Sequence, residues 1–250
     1  MTYQLMARLY DQFMTAAPYD KWVELTEKII SRYQLQNPRI VDLGCGTGEI
    51  TVKLKSKGFE ITGVDASTDM LTIAEQKASD YHQRVQWIHQ DLRELQGLSN
   101  FDLAISYCDV INYITSKSDI QIVFNNIAEL LGDNGLFVFD VHSLVHVEEN
   151  LVGKTFADVT DEGAYIWFCY EGEEEGEMYH DLTFFSSNGG SYQRFDETHH
   201  EQTFPISVYE EILKKCGFEI LDICGDFIFE NDFSEEEAER IFIVAQKRMR

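Results

Sequence analysis

Positive charge is scarce in this sequence: 20 Lys and Arg stand against 44 Asp and Glu, a formal net charge of −24. The averaged field repels phosphate backbones and anionic lipid headgroups, so nucleic acid is an unlikely partner and no membrane association is expected. Long apolar runs are also missing, and none approaches the roughly 20 residues that span a bilayer. The start, MTYQLMARLYDQF, carries neither the basic head nor the apolar stretch of a signal peptide, and the expectation is a cytoplasmic protein. Cysteine is sparse and odd in number: Cys45, Cys108, Cys169, Cys216 and Cys224 form no CxxC pair. That spacing speaks against a disulfide framework and against a zinc site, and reduced thiols fit the cytoplasm. What is present is material for a core: 44% hydrophobic residues over 250 positions suffice for one large domain, or one domain with an insertion.

In the first forty residues Trp22, Leu25, Ile29 and Tyr33 recur at three- and four-residue steps, which predicts an amphipathic helix stopped by Pro38. Short β-rich runs then alternate with helix-length segments. The runs are 39–44, 59–65, 84–90, 101–107 and 135–141, with helices over 47–57, 68–79 and 118–131. This alternation predicts βαβ units around a parallel sheet, and the nearly continuous apolar character of several runs predicts strands covered on both faces. A further helix over 207–216 and strands over 218–227 and 240–247 complete seven strands.

Residues 142–206 are too many for a structureless loop in a compact domain. Their runs KTFADVT, AYIWFCYEG, EMYHDLTFFSS and SYQRFDETHHEQTF are rich in aromatic and β-branched residues and are separated by turn signals, among them Asn-Gly-Gly. An inserted antiparallel sheet is expected, with the acidic stretch 171–177 as a solvated hairpin tip. The fold expectation is therefore α/β: a Rossmann-like, seven-stranded doubly wound sheet with helices on both faces and the last strand antiparallel, plus a β-sheet lid. The expected division is 1–141 with 207–250 as the cofactor-binding part, 1–36 being a helical cap, and 142–206 as the inserted substrate region.

The run RIVDLG leads straight into GCGTG, so Asp42, Gly44, Cys45, Gly46 and Gly48 sit at a strand-to-helix turn. Glycines bring the backbone close to a ligand, and the helix start offers amides to an anionic group. The next strand ends in Asp65, 17 residues beyond Gly48, where a carboxylate can accept both hydroxyls of a ribose. The loop reads G-x-G-x-G rather than the G-x-G-x-x-G of dinucleotide sites. This pattern resembles class I S-adenosylmethionine-dependent methyltransferases. By that resemblance, Asp42 and residues 44–48 cradle the methionine moiety, while Asp65 with Ala66 binds the ribose. Met70 packs on the adenine, and Asp91 with Leu92 contacts its amino group and ring. The segment SYCDVINY, from Ser106 through Tyr107 to Tyr113, falls beside the methyl group and acceptor. The opening is similar to small bacterial methyltransferases of unassigned substrate, in which a tyrosine placed like Tyr10 reaches the cofactor carboxylate.

The resemblance implies S-adenosyl-L-methionine as cofactor and methyl transfer by in-line displacement to a small-molecule acceptor, with a protein acceptor as a further possibility. An oxygen or ammonium acceptor needs a proton removed, for which His142, His199 and Tyr113 are the candidates. His142 and His146 have a spacing open to metal ligation, but no H-E-x-x-H supports it and no metal is expected. His199 and His200 are adjacent, and strand alternation can aim one at the acceptor while the other lies on the opposite face. Residues 158–201 hold twelve acids and one Arg, a balance of −11 that favours a neutral or cationic acceptor. The alternatives are an NAD(P)-dependent oxidoreductase, for which the loop spacing is wrong and a Tyr-x-x-x-Lys pair is missing, and a noncatalytic cofactor-binding module.

Overall fold

A computed structural model describes residues 17–161, 163–187, 189–229 and 233–248. Tyr10 lies outside them. The first described helix, α1, runs Tyr19–Arg32 and buries Trp22, Leu25 and Ile29, the stripe expected from their spacing. It ends six residues before Pro38, because Gln34 turns left-handed (φ 55°) after the Tyr33 amide has closed on Ile29. The proline is thus not what stops it.

The strands β1 (Arg39–Leu43), β2 (Glu60–Asp65), β3 (Gln86–His89), β4 (Phe101–Ser106) and β5 (Leu131–His142) are parallel neighbours. The helices α2 (Glu49–Ser56), α3 (Thr68–Asp80) and α4 (Lys117–Leu130) connect them. Strand β5 starts earlier than the sequence suggests, directly where α4 ends, and β4 shifts register between Phe101 and Leu103 beside it. The chain closes with α5 (Ile206–Lys215), β10 (Phe218–Gly225) and β11 (Arg240–Lys247). Strand β11 is antiparallel to both neighbours, in the order β10-β11-β5-β4-β1-β2-β3.

Alternate side chains of the buried strands feed two cores. Ile40, Leu103, Ile105 and Val138 pack with Trp22, Leu25 and Ile29 of α1, while Val41, Ala104, Phe137 and Phe139 pack with Phe124 of α4 and Tyr209 of α5. Both faces are therefore covered, which is why these strands read as apolar runs.

Residues 155–202 form a separate antiparallel sheet of β6 (Thr155–Thr160), β7 (Gly163–Glu171), β8 (Glu177–Ser187) and β9 (Tyr192–Gln202), in sequential order. The acidic tip between β7 and β8 keeps its Glu173 to Glu175 side chains outward, yet its backbone is docked: Gly176 accepts the Thr203 amide and Gln202 donates to the Glu175 carbonyl at 2.8 Å. The buried Asn112 couples this sheet to the larger one, donating to the Gln202 carbonyl at 3.0 Å and accepting the His142 amide at 3.1 Å. No helix among the described residues is long and apolar enough to cross a membrane.

Candidate active site

A cleft of about 540 Å³ opens at the carboxyl ends of β1, β2 and β4, between the two sheets. It lies where the strand order reverses, the place where open α/β sheets bind ligands. The glycine turn forms one wall. Gly44 and Gly48 both have positive φ, and a Cβ on them would lie 2.4 Å from Val110 and 2.7 Å from Trp87. Side chains there would push the turn off the sheet. At Gly46 a Cβ would meet nothing within 4 Å, so this backbone faces open cleft.

Asp42 is buried beneath the turn and accepts the Thr51 hydroxyl, and burial raises its pKa to about 7. Asp65 ties the turn from the next strand: its two oxygens accept the amides of Gly46 and Ser67, each at 2.8 Å. It is not the cap of α3, because Ser67 performs that task through the Met70 amide at 3.3 Å. Ala66, Met70, Asp91 and Leu92 continue the wall. Asp91 caps the short 3-10 turn Leu92–Glu94 and grips Arg93, with Nη2 at 2.6 Å from Oδ2. That grip holds the Asp91 carboxyl below its usual range.

Cys45 and Cys108 also border the cleft, but burial pushes both thiols well above the usual range and makes neither a nucleophile. Tyr107 is buried at the floor with its hydroxyl 3.1 Å from that of Thr26. Tyr19 borders the cleft, while Trp22 staples α1 to the sheet, edge-on to Phe227 with its indole donating to Asp140 at 3.2 Å.

The opposite wall comes from the inserted sheet and from the 3-10 turn Val110–Tyr113. Alternation on β9 sends His199 into the cleft and His200 to the other face, where it stacks on Tyr179 and meets Glu177 at 2.7 Å. His199 Nδ1 lies 2.8 Å from the Tyr113 hydroxyl, and its Nε2 lies 3.0 Å from Glu197. All three border the cleft. Glu197 is absent from the residues suggested by sequence, although its position two before His199 on a strand puts it on the same face.

His142 does not border the cleft. Its Nε2 is 3.2 Å from Asp109, its ring stacks on His146, and Asp109 is paired in turn with Arg240. The burial of Asp109 opposes ionisation, but Arg240 and His142 hold its carboxyl well below the usual range. Among the described residues no cluster of three or more His, Cys, Asp or Glu could hold a metal ion.

Residues 40–135 match the model of a methyltransferase domain family. Over 248 residues the chain is 41% identical to YqeM of Bacillus subtilis (strain 168), which carries the name of methyltransferase without a stated substrate; the match covers 99% of this chain and 98% of that one. The chain belongs to the class I S-adenosylmethionine-dependent methyltransferases. An S-adenosylmethionine-dependent methyltransferase from Clostridium acetobutylicum ATCC 824 is 29% identical in sequence, with a TM-score of 0.88 and all of both chains covered. A third comparison shows likeness of fold alone: CalS10 from Micromonospora echinaspora, an amino pentose methyltransferase solved with S-adenosylmethionine, has a TM-score of 0.76 at 15% identity, covering 96% of each chain.

The nicotinamide alternative is thereby disfavoured, and S-adenosyl-L-methionine is the cofactor of this methyltransferase. The wall fits it: the glycine turn leaves room at Gly46, Asp65 keeps carboxylate lone pairs beyond those given to two amides, and among the described residues lining the cleft Arg93 is the one cation beside Asp42, Glu49, Asp65, Asp91 and Glu197. Such a lining suits ribose hydroxyls and a sulfonium.

Proposed function

We propose that this methyltransferase acts on a small neutral or cationic acceptor, and that Tyr113 and His199 remove its proton under the control of Glu197. The observation that carries this reading is the Glu197–His199–Tyr113 chain on the cleft wall opposite the glycine turn. A carboxylate only accepts hydrogen bonds, so Glu197 calls for a proton on His199 Nε2. In the neutral ring Nδ1 then accepts, and the Tyr113 hydroxyl donates to it. When bound, the cofactor supplies an electrophilic methyl group. The Tyr113 oxygen takes the acceptor's proton as its own passes to Nδ1, the acceptor keeps the electron pair, and Glu197 stabilises the imidazolium. This is the logic of an oriented base acting through a hydroxyl.

The cofactor side of the reading assigns Asp42, Gly44, Cys45, Gly46 and Tyr107 to the methionine end and Asp65 with Ala66 to the ribose. Met70, Asp91 and Leu92 hold the adenine, and the resemblance assigns Tyr10, outside the described residues, to the carboxylate. The acidity of 158–201 supports an acceptor without phosphate, and the five cysteines without a CxxC pair support a cytoplasmic location. His142 has no direct part, because Asp109 occupies it away from the cleft. Calorimetric titration with S-adenosylmethionine and S-adenosylhomocysteine, followed by an acceptor screen reading S-adenosylhomocysteine release, tests this. Turnover of amines or neutral hydroxyl compounds is expected. Preference for phosphorylated acceptors or RNA would overturn it.

A further inference from the structure

Behind Tyr113 lies a carboxylate that the reaction as described does not use. Glu201, two residues beyond His199 on β9, is 5% exposed at the seam between the sheets. Its Oε1 faces His180 Nε2 at 3.4 Å. The His180 tautomer is dictated by its other side: the Trp167 indole can only donate and lies 2.8 Å from Nδ1, so Nδ1 accepts and the proton sits on Nε2, aimed at Glu201. Burial pushes His180 down to about 4, so it stays a fixed donor. Glu201 Oε2 has no hydrogen-bond partner of ordinary geometry among the described residues. Interaction with the Tyr113 hydroxyl favours its ionised form, against burial.

Once His199 carries two protons, Nε2–H donates to Glu197 and Nδ1–H donates to the Tyr113 oxygen, which was previously the donor. The Tyr113 O–H must then find another acceptor. We propose that Glu201 is that acceptor, a positioning residue that takes the displaced proton through Tyr113 and resets His199. The sequence balances: the Tyr113 O–H passes its proton to Glu201 Oε2, the proton on Nδ1 returns to the phenolic oxygen, and no oxidant or co-reactant is needed. The groups facing Glu201 are His180 from β8, His199 from its own strand, Tyr113 and Asp109 from the 3-10 turn and its approach, and His142 from β5. Burial, and then Asp109, raise its pKa to about 7, while His142, Tyr113 and His199 oppose them.

This inference rests on the assignment of Tyr113 and His199 given above, but its test needs no acceptor. Imidazole nitrogen resonances of the full chain, with S-adenosylhomocysteine present, are followed from pH 5 to 9 in wild type, Glu201→Gln and Tyr113→Phe. The His199 resonances should respond to the ionisation of Glu201 with an inflection near pH 7 that vanishes in both variants. Persistence of that inflection in Glu201→Gln, or its survival in Tyr113→Phe, would overturn the proposal. Infrared spectra of the wild type give an independent arm should Glu201→Gln fail to fold: a protonated-carboxyl band should disappear across neutral pH and shift in Tyr113→Phe. A band insensitive to Tyr113 would equally refute it. Failure of the methyl-transfer reading would appear separately, as no S-adenosylhomocysteine release from any acceptor.

Discussion

The Asp65 carboxylate accepts the Gly46 amide at 2.8 Å, across 19 residues of sequence, so the group assigned to the ribose also shapes the glycine turn. A single substitution therefore removes two things, the hydroxyl acceptor and the brace. Asp65→Ala should weaken S-adenosylmethionine binding by about 2 kcal/mol or more, at least roughly 30-fold in Kd, since bonds to a charged acceptor are each worth about 1.5–3 kcal/mol. Asp65→Asn keeps one acceptor oxygen and should fall between. Calorimetry on the two variants checks this, and unchanged affinity in Asp65→Ala would remove the residue from the cofactor site.

Tyr113 and His199 stand on the cleft wall opposite the glycine turn and Asp65, and their hydrogen bonds to each other and to Glu197 do not involve that turn, so cofactor binding and proton removal are separable. Tyr113→Phe and His199→Ala should leave S-adenosylhomocysteine affinity within about twofold while lowering kcat by roughly 10²-fold or more, the usual scale of a lost acid–base group. Glu197→Gln should cost less, because His199 keeps its place and loses only the charge that stabilises its protonated form. Single-turnover methylation of the first acceptor found measures all three.

The large sheet was legible because buried parallel strands and their helices leave distinct periodicities, and the inserted sheet because Asn-Gly-Gly and acidic turns bracket alternating aromatic runs. The glycine turn and Asp65 were legible because local backbone geometry demands those residue types at that spacing. Contacts between distant segments left no such trace. Arg240 pairs with Asp109 over 131 residues, and Trp22 reaches Asp140 over 118, although no periodicity links them. His142 sits at the end of a strand where an acceptor base could stand, yet Asp109 draws it away from the cleft. Glu197 was hidden by its company, since one acid among twelve in an acidic insertion reads as solvated surface.

Burial of carboxyl groups sets a pH dependence of stability with a definite sign. Glu201 titrates near 7 in the folded protein against 4.5 as its ordinary value. A raised acid favours the folded state fully below its unfolded pKa, and that contribution is lost as pH climbs through the folded value. Asp42, raised to about 7, acts in the same direction, whereas His180, lowered to about 4 from 6.5, loses its contribution as pH falls through that window. Both remain in Glu201→Gln, so comparing this variant with wild type isolates one group. Between pH 5.5 and 8.5 the variant should gain stability relative to wild type by on the order of 2 kcal/mol, at 1.36 kcal/mol per unit, because the first unit of the shift is already spent below pH 5.5. Urea unfolding at three pH values measures the difference, and parallel curves would show that Glu201 is ionised throughout.

Asn112 is fully buried and serves three segments: its own 3-10 turn, the His142 amide at the end of β5, and the Gln202 carbonyl at the end of β9. Asn112→Ala removes a donor and an acceptor together and leaves two backbone groups unpaired, each costing about 1–3 kcal/mol when no water reaches it. The loss falls where the inserted sheet meets the core, while the two large apolar clusters stay intact. Amide exchange should therefore accelerate through β8 and β9 by more than tenfold, with β1, β4 and β5 little changed relative to the global unfolding limit. Because Glu197 and His199 travel with β9 while the glycine turn does not, the variant should keep most of its cofactor affinity and lose the Tyr113–His199 coupling. Uniform acceleration across both sheets would mean instead that the inserted sheet does not open independently of the core.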